Sequence, residues 1–165
     1  MDRTELQALY DNYGYAVHHR CLRFLGSPSD ADDALQEVFV RVMRYGHRFD
    51  GKNPLGWLYR ISDCQCIDVI KKNRRQVPVE NTEEWASHTD SEGEWGRGML
   101  SGHTARQIIA SSHPKDARIA ILYYVDEMTQ KEVADEMGCS RKTVKKRLAR
   151  FKELARRFQK GESDG

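Results

Sequence analysis

The chain has 165 residues, with 27 Lys or Arg against 25 Asp or Glu and a formal net charge of +2. Charged residues make up 32% and the hydrophobic set 39%, a balance that fits a soluble, rather polar protein of one domain or two small ones. No run of about 18 apolar residues is present, which excludes a membrane-spanning helix, and "MDRTELQALY" lacks the apolar core of a signal peptide, so the expected location is cytoplasmic.

From about Arg3 to Leu25, the residues Leu6, Leu9, Tyr10, Tyr13, Val17, Cys21 and Phe24 form an apolar stripe at helical spacing. "GSPSD" interrupts it. A second helix is expected from near Ser29, with Asp30, Asp32 and Asp33 in the first turn, where acids complement the helix dipole. Leu35, Val38, Phe39, Val42 and Met43 continue its apolar side. "YGHRFDGKN" reads as a loop. Pro54 then suits the first turn of a third helix, with Asn53 as its cap. This helix carries Leu58 and Ile61 and ends in "KKNRR".

Charge divides the chain. Residues 1–75 hold 12 basic and 10 acidic groups, residues 76–112 hold 2 and 6, and residues 113–165 hold 13 and 9. The middle segment, beginning "QVPVENTEEWASHTDSEGEW", is rich in Glu, Ser, Gly and Thr with weak periodicity, and reads as a flexible acidic linker in which Trp85 and Trp95 could dock.

Downstream, "MTQKEVADEMGCSRKTVKKRL" reads as helix, tight turn, helix. Thr129 and Glu132 fit a capping box. Val133, Ala134 and Met137 make the inner face, Gly138 stops the helix, and Ser140 caps the next. In the second helix, Val144, Leu148, Phe151, Ala155 and Phe158 recur at spacings of four, three, four and three. Ten of the 21 residues from Ser140 to Lys160 are Lys or Arg, and only Glu153 is acidic. A purely solvated face mixes signs, with Glu four residues before Lys. Like charges repelling along one helix suit a polyanionic partner. A short helix, a turn with Gly and a basic second helix is the helix-turn-helix pattern, whose second helix enters the major groove by its N-terminal residues.

Catalytic and metal signatures are missing. The cysteines Cys21, Cys64, Cys66 and Cys139 are scattered, with no CxxC pair, and Cys64 and Cys66 do not face each other on a helix. His18 and His19 lack ligand spacing, and there is no GxSxG, Walker loop or GxGxxG. The expectation is a non-enzyme without metal or cofactor.

Three stretches resemble one family. "DADDALQEVFVRVMRY" is similar to the segment that binds core RNA polymerase in bacterial sigma factors of the extracytoplasmic-function class. "PLGWLYRISDCQCIDVIKKNRR" resembles that class's promoter-melting and −10-reading segment. "SHPKDARIAILYYVDEMTQKEVADEMGCSRKTVKKRLARF" resembles its −35-reading domain. Asp63 and Cys64 depart from the family, which usually has a small residue and Asn there, and Lys142 stands where Gly is common.

The resemblance implies an all-α fold of two small helical domains. Residues 1–75 would be sigma region 2, a helical bundle. Residues 76–100 would be the flexible acidic linker, 101–160 the region 4 helix-turn-helix, and 161–165 a disordered tail. The implied function is promoter-specific transcription initiation with core RNA polymerase. Implied polymerase contacts are Asp32, Asp33, Gln36, Glu37 and Arg41. The implied −10 and melting set is Arg48, Phe49, Lys52, Asn53, Trp57, Tyr59, Arg60, Asp63, Cys64, Lys71, Lys72, Arg74 and Arg75, with one base flipped into a pocket near the loop. The −35 set is Ser140, Arg141, Lys142, Thr143, Lys145, Lys146 and Arg147. Partners would be core polymerase, promoter DNA and, in this class, an anti-sigma factor, without membrane insertion. Two other readings stay open: a stand-alone regulator binding operator DNA through 129–150, and an interaction protein whose basic tail is only solvated.

Overall fold

The computed structural model describes residues 1–76, 94–95 and 100–160. The expected linker and the 161–165 tail lie largely outside the described residues. Two compact units are present, Met1–Lys72 and Asn73–Gly165. The architecture is all-α, as expected. Among the described residues the only strands are β1 (Glu94–Trp95) and β2 (Leu100–Ser101), an antiparallel pair with Trp95 opposite Leu100. No described helix is long and apolar enough to cross a membrane.

The first unit begins with α1 (Arg3–Leu25). Its start is a reciprocal box: the Glu5 N–H donates to Asp2 at 2.8 Å, and the Asp2 N–H donates to Glu5 at 2.8 Å. Gly26 ends it at φ 70°, a left-handed geometry that L side chains resist. α2 (Pro28–Tyr45) starts slightly earlier than the expected Ser29, because Ser27 accepts the Asp30 N–H at 3.3 Å and Pro28 suits the first turn. A 3-10 turn, Gly46–Arg48, leads to the loop before α3 (Pro54–Gln76).

Val17, Cys21 and Phe24 from α1 meet Ala34, Val38 and Val42 from α2 and Leu58, Cys66 and Ile70 from α3 in the buried core of this unit. Phe24 is wholly buried, so Phe24→Ala would cost about 3–5 kcal/mol through lost burial and a cavity. Met43, an expected stripe member, is 66% exposed instead, because it lies at the edge of its stripe, where a helix of 3.6 residues per turn rotates a position out of the packed sector. Tyr10 is 47% exposed yet still packs edge-on against Phe39 of α2, with ring centroids 5.1 Å apart.

The second unit contains α4 (Gly102–Ser111) and α5 (Pro114–Ala120), which runs on as a π-helical turn, Ile121–Val125. α6 (Gln130–Met137) and α7 (Arg141–Gln159) follow. Ile119, Leu122, Val133, Ala134, Val144 and Leu148 form its core, with Met137 and Cys139 against it. Phe151 is also buried, while Ala155 and Phe158 are half-buried. The apolar stripe of the basic helix therefore packs along its first part most completely.

Candidate nucleic-acid interface

α6 and α7 form the expected helix-turn-helix. Thr129 accepts the Glu132 N–H at 3.2 Å, while its hydroxyl donates to the Glu132 carboxylate at 3.1 Å. The second bond differs from a full capping box, in which Glu132 would accept the Thr129 N–H. Gly138 closes α6 at φ 66°, with its N–H on the Ala134 carbonyl. Ser140 then caps α7, its hydroxyl oxygen accepting the Thr143 N–H at 3.1 Å and lying 3.0 Å from the Thr143 hydroxyl. Ser140 and Thr143 thus fix the helix start and each other. Their oxygens are partly spent on that before any DNA arrives.

Arg141, Lys142, Lys145 and Lys146 are all exposed. Being paired at i and i+4, they form one adjoining cationic patch on the first two turns. Arg147 is different. Its guanidinium donates to Asp116 of α5 at 2.7 Å, and Arg150 reaches the same oxygen at 3.1 Å. Asp116 is only 4% exposed. This pairing engages Arg147, one of the expected −35 residues, as a clamp between α7 and α5. The Asp116 partner lies 31 residues away in sequence, so helical periodicity alone carried no sign of it. Farther along α7, Arg156 pairs with Glu153 at 3.2 Å, and Lys152, Arg157 and Lys160 are exposed.

In the first unit the loop before α3 is built by three local devices. The Lys52 N–H donates to Asp50 at 2.9 Å. Asn53, at φ 44°, accepts the Gly56 N–H at 3.0 Å and caps α3 as expected. A Cβ at Gly56 would come within 2.3 Å of the Asn53 amide, so this cap needs glycine there. Phe49 stacks on Trp57 with ring centroids 4.7 Å apart and 27° between planes. Both are half-buried, and Arg48 lies 5.3 Å from the Tyr45 ring.

Along α3, Arg60, Cys64, Lys72 and Arg74 are exposed, and Tyr59 and Lys71 are half-buried. The Arg75 side chain lies outside the described set. Asp63 is wholly buried. It accepts from Arg20 of α1 at 2.7 and 3.0 Å, so this expected −10 residue has its carboxylate engaged inside the first unit. Cys64 and Cys66 point to opposite sides, as their spacing implied, with Cys64 exposed and Cys66 buried. A hydrogen bond with Cys21, then burial, pushes the Cys66 thiol up.

On α2, Asp32, Asp33 and Gln36 are exposed. Asp32 also sits 2.7 Å from His18 of α1. Arg41 lies 3.2 Å from Asp68 of α3 and 3.8 Å from Glu37 on its own helix, so one member of the expected polymerase set, Arg41, braces α2 against α3 while Glu37 pairs with it along α2. Val40 and Met43, 43% and 66% exposed, extend the open side. Periodicity alone places Met43 in the core and does not single out Val40; an apolar residue on the side opposite the buried Val38 is the signal that marks Val40.

Comparison with known proteins follows the same division. Residues 9–76 match the family model for sigma-70 region 2, and residues 114–154 match that for sigma-70 region 4. Among curated relatives, the ECF RNA polymerase sigma factor SigW of Bacillus subtilis is 26% identical over 94% of this chain and 89% of its own length. SigM of the same organism is 25% identical over 96% and 98%. The ECF RNA polymerase sigma-E factor of Escherichia coli K12 is 27% identical over 92% and 85%. Among solved structures, the sigma factor RpoE of Bartonella quintana, crystallised with the anti-sigma factor NepR, matches in fold with a TM-score of 0.52 at 16% identity, over 98% of this chain and 99% of that one. A stand-alone operator-binding regulator would account for the second family match and leave the first unexplained.

Proposed function

Because the chain belongs to the sigma-70 family, in its extracytoplasmic-function class, and serves promoter-specific transcription initiation with core RNA polymerase, we propose that its two units divide promoter reading between a −10 surface on α3 and a −35 surface on α7. The carrying observation is the exposed quartet Arg141, Lys142, Lys145 and Lys146 at the capped start of α7. A helix entering the major groove by its N-terminal end brings those four side chains to base edges and phosphates. Arg141 is the candidate for bidentate guanine contact, and the lysines for phosphate or single base acceptors.

Phe49, Trp57 and Tyr59 supply ring surface with Arg48, Lys52 and Arg60 close by in sequence, and Lys71, Lys72 and Arg74 continue the cations further along α3. Rings next to cations suit unpaired bases on a tracked backbone. Flipping a base costs a few kcal/mol, and stacking with edge contacts offsets it. The open side of α2, from Asp32 and Asp33 to Val40 and Met43, is the proposed docking surface for polymerase. Two modules on one chain reach both promoter elements with the avidity of effective concentration. The factor itself does no catalysis, works in the cytoplasm with the polymerase, and is a candidate for an anti-sigma partner, since its fold relative was crystallised with one.

The deciding experiment is run-off transcription by core polymerase on a library of upstream regions, with and without this protein. Enrichment of two sequence boxes at fixed spacing is the expected result. Enrichment of a single box, or no transcription above core alone, would refute the division of labour.

A further inference from the structure

Arg20 is almost fully buried, 8% exposed, although it carries a charge. Its Nε donates to Asp63 Oδ1 at 2.7 Å and its Nη2 to Oδ2 at 3.0 Å, a two-pronged fork. The same guanidinium carbon lies 4.2 Å from the Tyr59 ring centroid and 5.0 Å from that of Phe24. Tyr59 and Asp63 are four apart on α3, so they stand one above the other on one face. One arginine from α1 thus grips two consecutive turns of α3.

A buried ion pair gives little net stability over apolar residues of the same volume, because desolvation consumes most of the Coulomb gain. What it does give is geometry. The guanidinium is planar and forked, and a lysine supplies neither property. The neighbouring row of α3, Arg60 and Cys64, is exposed. Fixing the buried row therefore sets the rotation of the exposed row about the helix axis.

We propose that Arg20 is a positioning residue for the −10 surface, holding Tyr59 and the adjoining Arg60–Cys64 row of α3 in the orientation that accepts an unpaired base. This rests on reading α3 as the −10 surface. Tyr59 is half-buried, so the residue keeps some surface accessible. With the guanidinium packed against it, the ring has lost its rotamer freedom before a base arrives, and that ordering is not charged to binding.

The test uses the full chain assembled with core polymerase, on the promoter that the transcription selection enriches, with 2-aminopurine placed in the −10 element to report unstacking. The double variant Arg20→Met with Asp63→Leu replaces the pair by apolar bulk, so the fold is retained. Its thermal midpoint should match or exceed the parent, and binding to a duplex −35 site should be unchanged. Opening should slow on the order of tenfold, the scale of removing one base–aromatic stack. Tyr59→Leu should slow opening by a similar factor, and the triple variant should be no slower than Tyr59→Leu alone, since both act through one ring. Opening at the parental rate in the double variant, or slowing that multiplies in the triple variant, would overturn the positioning role while leaving the −10 surface in place. Parental opening by Tyr59→Leu would overturn both. Should the double variant lose thermal stability, Arg20→Lys decides by the same cycle, because it keeps the charge and withdraws the planar fork.

Discussion

The Arg147 guanidinium donates to the buried Asp116 carboxylate at 2.7 Å, from the middle of a helix whose other cations mostly face water. One acid on α5 thereby separates two uses of positive charge on α7. Arg147 and Arg150 hold the helix, and the exposed Arg141, Lys142, Lys145 and Lys146 carry the proposed −35 surface. Asp116→Ala removes the acceptor and leaves the half-buried Arg147 charge uncompensated. The expected loss is about 2 kcal/mol, less than the 3–5 of a fully buried pair because Arg150 remains half-exposed and solvated. Urea denaturation followed by circular dichroism measures it. A variant as stable as the parent would show that the clamp contributes nothing.

Arg141→Ala and Lys142→Ala should leave stability within about 0.5 kcal/mol, since both side chains are exposed. They should instead change the preferred −35 sequence, at about 1–3 kcal/mol for each specific base interaction removed. Arg156→Ala with Arg157→Ala should weaken binding evenly across sequences and reduce the salt slope by roughly 0.9 for each phosphate no longer neutralised. The reason is length: at about 1.5 Å per residue, a helix entering by its N-terminus cannot keep its far end on bases. Selection from randomised sites, repeated at several salt concentrations, separates the two classes. A preference unmoved by changes at Arg141 and Lys142 would remove α7 as the reader.

The helices α1, α2, α3, α6 and α7, the turn at Gly138 and the caps at Asn53 and Ser140 were legible in the sequence because each depends on residues within four positions of one another, whereas the short α4 and α5 were not singled out. The clamps were not. Arg20 and Asp63 are 43 residues apart, and Arg147 and Asp116 are 31 apart. Both pairs join charges that look like ordinary surface groups on their own helices. Only packing reveals that Asp63 and Asp116 are buried. Asp63 did stand out as a departure from the family pattern, yet its partner on α1 carries no local mark. The same limit explains Met43: periodicity locates a stripe, and the packing of neighbouring helices sets its width.

The Cys66 thiol, pushed up by its hydrogen bond with Cys21 and by burial, makes the first unit sensitive to alkali. As pH rises past the ordinary thiol value of 9.0, the unfolded chain loses this proton first. The native state then holds more protons than the unfolded one, so stability is complete below that pH and declines above it. Cys66→Val should flatten the decline relative to the parent, read from urea midpoints across an alkaline series. In the folded parent, an aromatic disulfide reagent should label the exposed Cys64 rapidly, while Cys21 and Cys66 wait for opening of the core. Parallel pH profiles in parent and variant would count against the Cys66 assignment.

Asp33, Gln36, Val40 and Met43 follow one another at spacings of three, four and three along α2, and all four are exposed. The strip begins acidic and ends apolar, a composition suited to a partner that offers both a cation and a greasy socket. Glu37 and Arg41 lie alongside but are engaged with each other and with Asp68. Substituting Arg41 would loosen α2 against α3, and substituting Glu37 would remove Arg41's partner on its own helix; both confound the test, so the exposed strip is the better probe. Asp33→Lys should slow association with core polymerase and alter its salt dependence, since a rim charge acts mainly on the on-rate. Met43→Asp should cost more, because burying a Met side chain is worth about 1.5–3 kcal/mol, roughly a tenfold or greater change in affinity. Both variants should melt like the parent. Titration of labelled protein into core polymerase reads both effects, and Arg41→Ala serves as the contrast, with lower stability and little change in affinity once folded. Parental affinity for Met43→Asp and Asp33→Lys together would place polymerase docking on another face.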